Sequence, residues 1–195
     1  MEFKILNRTL NYSGFFSIQK IVLSHELFAG GLSPPVTREL IVKGHAAAVL
    51  LYDPVLRNLV LIEQFRVGAM TAAPWLIELV AGYLEAGEDA MDVIRREARE
   101  EAACEIADPF LIQRFYVSPG STEETMSLFC ARVDSSQAGG IYGLAEEGED
   151  IRVLVVPVEE AYRWLDQGQI SSATPTIALQ WLKLNEIALR VRWKS

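Results

Sequence analysis

The chain has 195 residues, half of them hydrophobic and 23% charged, which suits one compact domain with a full-sized core and, at most, a small N-terminal appendage. Its 18 basic and 26 acidic side chains leave a net charge of -8, and that field repels a phosphate-rich polymer, so nucleic acid is an unexpected partner. No run nears the roughly 18 consecutive apolar residues of a membrane span, and Met1-Glu2-Phe3-Lys4 does not open a signal peptide. Cys104 and Cys130 form no CxxC pair and are expected to be buried free thiols in a reducing cytoplasm. An acidic protein can still take up a small phosphorylated ligand if divalent cations stand between the two.

Residues 3 to about 43 alternate polar and apolar in short runs such as Phe15-Phe16-Ser17-Ile18-Gln19-Lys20-Ile21-Val22, broken at Gly30-Gly31 and Pro34-Pro35. They predict a small antiparallel β unit over 1–43, followed by the main domain over 44–195. Ala46–Tyr52 and Leu59–Phe65 read as paired strands joined by a turn from Asp53-Pro54 to Asn58. Trp75–Leu84 reads as one further strand, and Gly87-Glu88 open a helix that runs to about Cys104. Strands are then expected at Phe110–Val117, Met126–Val133 and Ile151–Val158, with helices at Val158–Gln167 and Pro175–Leu184. Between Asp134 and Asp150 lies a Gly-rich acidic segment without a period, of the kind that is either functional or disordered.

The helix after Gly87 carries the chemistry. At roughly 100° per residue, Ala90, Val93, Ile94 and Cys104 form an apolar stripe that should face a sheet. Glu97 and Glu101 fall on that stripe and Glu100 at its edge, while Asp92, Arg95, Arg96 and Arg99 point elsewhere, so no basic side chain is expected on the inward face. Like charges at i,i+4 destabilise a helix, and an unpaired buried carboxylate costs several kcal/mol or raises its pKa. A solvated acidic face is the plainer alternative, but it would set the acids opposite Val93 and Ile94. A divalent cation relieves the difficulty, because hard carboxylate oxygens suit Mg²⁺, which also binds substrate phosphates.

Gly82, five residues, Glu88, seven residues, then Arg96-Glu97-Ala98-x-Glu100-Glu101 resembles the Nudix box, GX5EX7REUXEEXGU with U apolar. The one departure is Ala103, where the family has the glycine that helps to end the helix. The resemblance implies an α+β fold, an α/β/α sandwich around a mixed sheet, and hydrolysis of a nucleoside diphosphate linked to another moiety. It implies Glu97 and Glu101 as principal Mg²⁺ ligands, possible replacement by Mn²⁺, two or more ions per site, and supporting roles for Glu100 and the backbone carbonyl of Ala81. Arg96 and Glu88 are implied as a buried pair that orients loop and helix; an ordinary surface ion pair is the alternative for Arg96.

Over nearly its whole length the sequence is also similar to the bacterial ADP-ribose pyrophosphatases. The similarity runs through Ser13-Gly14-Phe15-Phe16, Gly44-His45-Ala46-Ala47, Leu61-Ile62-Glu63-Gln64-Phe65-Arg66, Pro74-Trp75-Leu76, Ser118-Pro119-Gly120, the segment from Gly143-Leu144-Ala145 to Glu149-Asp150-Ile151, and Ile177-Ala178-Leu179-Gln180-Trp181-Leu182. In that subfamily a proline at the position of Pro119 marks ADP-ribose preference. Arg66 is then expected to bind the diphosphate or the terminal ribose, since a guanidinium suits phosphate geometry; a strand-end surface arginine is the alternative. Phe15 or Phe16 with Arg38 would hold the adenine by stacking and cation–π contact, unless the two phenylalanines are core of the N-terminal sheet. The resemblance also implies a homodimer with exchanged N-terminal units and composite sites.

Hydrolysis needs a base, and the acidic loop offers Glu146, Glu147, Glu149 and Asp150. The resemblance puts the base on Glu147, carried on a loop that closes over substrate; an idle flexible loop is the alternative. Glu123 and Glu124 are further candidates for substrate contact or metal support. His25 and His45 are isolated and expected to be structural, His45 as a hydrogen-bonding residue at a strand start. The expected products are AMP and ribose 5-phosphate. A GDP-sugar or other nucleotide sugar is the alternative substrate, and a non-catalytic ligand sensor on the same fold the more distant one.

Overall fold

The computed structural model describes residues 1–193, the side chain of Glu147 excepted. The chain forms two compact units, Met1–His45 with Phe115–Met126, and Ala46–Arg114 with the chain from Ser127 onward. Among the described residues no helix is long and apolar enough to cross a membrane.

The first unit is a three-stranded antiparallel sheet of β1 (Phe3–Ser13), β2 (Ser17–His25) and β3 (Val36–Val42), in that spatial order. In β2, Ile21 and Ser24 are buried, one on each face of the strand. The tip of a later hairpin joins this unit through an Ile41–Thr122 bridge and an Ile41 N–H bond to the Ser121 carbonyl at 2.8 Å. Along the whole of β1 the side chains are exposed, Phe3, Ile5, Leu6, Leu10 and Tyr12 among them.

The second unit is built on a mixed-order sheet. β4 (Ala46–Asp53) and β5 (Asn58–Phe65) pair antiparallel, Leu51 opposite Val60. The stretch from Trp75, expected as one strand, is two: β6 (Trp75–Glu78) pairs with β5 and β7 (Val80–Tyr83) with β4. The chain changes partner at Leu79, and a single straight strand could not serve both neighbours. β8 (Ala107–Tyr116), β9 (Thr125–Arg132), β10 (Gly140–Tyr142) and β11 (Ile151–Pro157) complete the order β10-β11-β5-β4-β9-β8. The segment 134–150, expected to lack regular structure, therefore contains β10 and a 3₁₀ turn at Ala145–Glu147.

All eight residues of β4 are buried, as befits a strand covered on both faces. Helix α1 (Ala90–Ala102) covers one face, where Ala47, Val49 and Leu51 share a core with Val93, Ile94 and Ala98. On the other face Tyr52 meets α3 (Ala173–Arg192): its ring lies 6.3 Å from that of Trp193, and its hydroxyl donates to Glu186. α2 (Val158–Asp166) packs on α3. The expectation ended α3 at Leu184, but the helix runs eight residues further. Glu186 faces inward, held by Arg57 at 2.8 Å with Tyr52 and Tyr162 beside it, while Leu184, Ile187 and Val191 are exposed. Within this extension only Leu189 is buried, so the amphipathic pattern is blurred there and hides the end of the helix from a periodicity argument.

α1 itself starts at Ala90 rather than at Gly87. Asp89 caps it, its carboxylate accepting the Met91 N–H at 2.8 Å, whereas Gly87, at φ 85°, sits in the preceding turn. The helix stops at Ala103, which takes the left-handed conformation (φ 51°, ψ 33°) usually left to glycine. Cys104, expected on the helical stripe, therefore lies just past the helix, still buried. The alanine keeps the cap at a steric cost, so Ala103→Gly should stabilise the protein by about 1 kcal/mol, a rise in Tm of about 2–4 °C. Calorimetry of the two forms measures it, and an unchanged or lowered Tm refutes strain at the cap.

Candidate active site

α1 presents Ala90, Val93, Ile94, Ala98, Glu101 and Ala102 to the sheet and packs against β7 and β4. A carboxylate therefore sits in an otherwise apolar row. Glu101 is 2% exposed, and one of its oxygens accepts the Ala81 N–H at 3.0 Å. In extended backbone the N–H and C=O of one residue leave the same strand edge, so the Ala81 carbonyl leaves β7 on the side of Glu101. Glu97, one turn earlier, lies against Gly82: a Cβ at position 82 would stand 1.8 Å from Oε1 of Glu97 and 2.3 Å from its carboxyl carbon. A side chain at position 82 would have to displace that carboxylate from its seat, which gives the glycine of the box a physical reason.

Arg96 reaches round the helix to this group, against the expectation of an inward face free of basic side chains. Its Nη1 donates to Glu97 at 2.6 Å and to Glu100 at 3.5 Å; the long stem lets the head cross to a neighbouring face. Its other nitrogens meet Glu88 at 3.3 and 3.4 Å. Glu88 also accepts the Glu85 N–H at 3.1 Å, which ties the turn before α1 to the helix. The Arg96–Glu88 pair exists as the resemblance implies, but it is half exposed rather than buried.

Burial pushes the Glu101 carboxyl up to about 8; the Ala81 N–H opposes that, the charges of Glu97 and Glu149 reinforce it, and Arg66 opposes it. Glu97 is raised for the same first reason, with Arg96 working against it. Among the described side chains of this loop, Glu149 is the acid whose charge acts on both helix acids. It is held by the Leu144 N–H at 3.0 Å and packs on Gly143, in a segment beside which β10 and β11 contact α1. The sequence showed four acids in this loop and nothing to single out this one. The side chain of Glu147, the expected base, lies outside the described residues.

As the side chains stand, no group of three His, Cys, Asp or Glu among the described residues is arranged to hold a metal ion. The donor set nevertheless fits a hard divalent cation: Glu101 is a buried carboxylate with one neutral hydrogen-bond donor, and Glu97, Glu100 and the Ala81 carbonyl are further oxygens on the same side. Arg66, just past β5, donates its Nε–H to Glu78 at 2.7 Å.

In the first unit Phe15 and Phe16 are both exposed, Phe15 at 78%, so neither belongs to a core. Their rings meet edge-on at 5.0 Å, and the cation over Phe15 is Lys43, at 3.2 Å. Arg38 pairs with Ile21 whereas Val42 pairs with Ser17, so Arg38 lies four positions, about 13 Å, along the sheet from the aromatic turn. Within one chain these residues make no sandwich. Pro119 is exposed in the turn between β8 and β9, and Glu124 is half-buried with its N–H bonded to Thr122. His45 bonds the Thr125 hydroxyl at 2.9 Å, a structural role as expected.

Residues 42–179 match the NUDIX domain family. With the box seated as described, the chain belongs to the Nudix family and is a Nudix hydrolase. Among curated proteins it is 46% identical to the ADP-ribose pyrophosphatase of Haemophilus influenzae, over 99% of this chain and 91% of that one. It is likewise 46% identical to the ADP-ribose pyrophosphatase of Escherichia coli K12, over 98% and 93%. A GDP-mannose pyrophosphatase of Escherichia coli is 33% identical over 77% of this chain and 79% of its own. The fold is shared with a solved structure described as an ADP compounds hydrolase, at 19% identity and a TM-score of 0.70, covering 94% and 95% of the two chains.

The raised Glu101 carboxyl sets a pH dependence. Between pH 5 and 8 the folded chain keeps a proton that the unfolded chain has released, so unfolding sheds a proton and stability falls as pH rises through that window. In chelator, the Tm of the wild type should fall further from pH 5 to pH 8 than that of Glu101→Gln. Parallel Tm–pH curves for the two proteins would refute the burial of an ionisable group here.

Proposed function

We propose that this protein hydrolyses the diphosphate of ADP-ribose to AMP and ribose 5-phosphate with Mg²⁺, in the cytoplasm. The observation that carries the reading is the pair of carboxylates turned inward on α1, Glu97 against Gly82 and Glu101 on the Ala81 N–H. Near-full-length similarity to two ADP-ribose pyrophosphatases supports the substrate, and the buried free thiols Cys104 and Cys130 suit a reducing compartment.

In this reading Glu97, Glu100, Glu101 and the Ala81 carbonyl hold the ions, two or more per site, and Glu149 adds its charge to the group. Bound divalent ions would supply Lewis-acid polarisation of the diphosphate and lower the pKa of the attacking water. Arg96 orients Glu97 and Glu100, and its bond to Glu88 fixes the turn that leads into α1. Arg66 binds the diphosphate, and Glu147 on the loop after β10 accepts the proton from water. Pro119 and Glu124 contribute to substrate preference and contact, and the adenine is met by Phe15 or Phe16 and by Arg38.

The test is product analysis with ADP-ribose and Mg²⁺. AMP and ribose 5-phosphate should form in equal amounts, chelation should stop the reaction, and Glu101→Gln should lower kcat on the order of 10²–10³-fold, the scale of losing one electrostatic stabiliser. Unaltered turnover in that variant removes the assignment. Similarity to a GDP-mannose pyrophosphatase favours a second reading, a GDP-sugar as substrate; faster hydrolysis of GDP-mannose than of ADP-ribose in a substrate panel would decide for it.

The proposal includes a homodimer with exchanged N-terminal units. Its support is β1, a long edge strand with exposed Phe3, Ile5, Leu6, Leu10 and Tyr12, the type of edge that soluble proteins cover. Light scattering should return twice the chain mass, and a monomer at micromolar concentration would refute this part.

A further inference from the structure

Arg66 lies just past the end of β5, and Glu78 is the last residue of the neighbouring β6. β5 and β6 pair Phe65 with Trp75, Gln64 with Leu76 and Ile62 with Glu78. Alternate residues share a face, and Ile62 belongs to the core cluster under α1, so Glu78 stands on the α1 face of the sheet. The backbone N–H of Arg66 is fixed to the Pro74 carbonyl at 2.7 Å. Its guanidinium donates Nε–H to Glu78 at 2.7 Å, and that carboxylate is 17% exposed against 47% for Arg66. Among the described residues neither Nη1 nor Nη2 of Arg66 has a protein partner. The guanidinium is also close enough for its charge to act on Glu101.

A guanidinium carries five donors in a planar fork, and two parallel donors suit a phosphate. A carboxylate that took both Nη groups would compete with such a ligand. One that takes Nε alone leaves the fork open while removing the rotational freedom of a long side chain, and that freedom is what ordering on binding would otherwise cost. We propose that Glu78 is a positioning residue for substrate binding: by holding Nε of Arg66 it presents Nη1 and Nη2 as a pre-oriented clamp for the diphosphate. The proposal rests on the reading above in which Arg66 meets the diphosphate. As a half-exposed pair, Arg66–Glu78 contributes little to stability, so its effect should show in binding.

The experiment is steady-state kinetics with ADP-ribose and Mg²⁺ on Glu78→Ala, Glu78→Gln, Arg66→Ala and the double variant Glu78→Ala/Arg66→Ala, each checked for an unchanged Tm. Glu78→Ala should raise KM about 10-fold, equivalent to about 1.4 kcal/mol, with kcat within about twofold. Glu78→Gln should recover most of that, because its amide oxygen still accepts Nε–H; this variant also covers the case in which the alanine form misfolds. On the Arg66→Ala background, Glu78→Ala should add nothing. An unchanged or lowered KM in Glu78→Ala, or a full additional loss in the double variant, overturns the proposal. Failure of the underlying reading looks different: Arg66→Ala would bind at wild-type KM, or the wild type would split no diphosphate, and the proposal would fall with it.

Discussion

The structure depends on carrying two carboxylates on the buried side of a helix. Glu101 replaces what would be an apolar residue in the row of Val93, Ile94 and Ala98, and Glu97 takes the space that a side chain at position 82 would fill. Neither arrangement favours folding by itself: a carboxylate beside an apolar core is desolvated, and a second one a turn away adds repulsion. The surroundings reduce the cost without removing it. Arg96 pairs with the outer acid, the Ala81 N–H serves the inner one, and the β4–β7 pairing lies behind them. Retaining such a cost is reasonable only where the acids have work to do, which is why the fold and the chemistry meet at this point.

Much of the fold was legible because burial on a sheet and burial under a helix leave different periods. The unbroken apolar run of β4 marked a strand, which the structure covers on both faces, and the turn from Asp53 to Asn58 set its hairpin with β5. What failed were places where composition and position part company. Nothing in Trp75–Leu84 marks a change of partner, since both halves are apolar and either could pair with either neighbour. In α3 the acid lies inside and Leu184, Ile187 and Val191 outside, because Arg57, Tyr52 and Tyr162 form a polar socket that no periodicity could reveal.

The site divides in the same way. Positions on one helix were readable from their spacing, including the shared face of Glu97 and Glu101. Partners set by a side-chain path, by loop packing or by a distant segment were not. The approach of Arg96 to Glu97 depends on a side-chain path, the singling out of Glu149 on how a loop packs at Gly143, and the seat of Arg66 on a carboxylate twelve residues away. Lys43 over Phe15 belongs to the same class, because the fold of a hairpin, not its sequence, set the two side by side.

The two thiols give the second unit a pair of built-in reporters. Cys130 sits at full burial in β9, where burial pushes its thiol far above the ordinary range, while Cys104 lies just past the left-handed turn at Ala103 and bonds the Ala102 carbonyl. An alkylating reagent needs a thiolate and a path to it, so each sulfur reacts only when its own surroundings open. Fraying of the α1 end would expose the first, while the second waits for the sheet to come apart. Their labelling rates would therefore time a local opening and a global one in the same molecule.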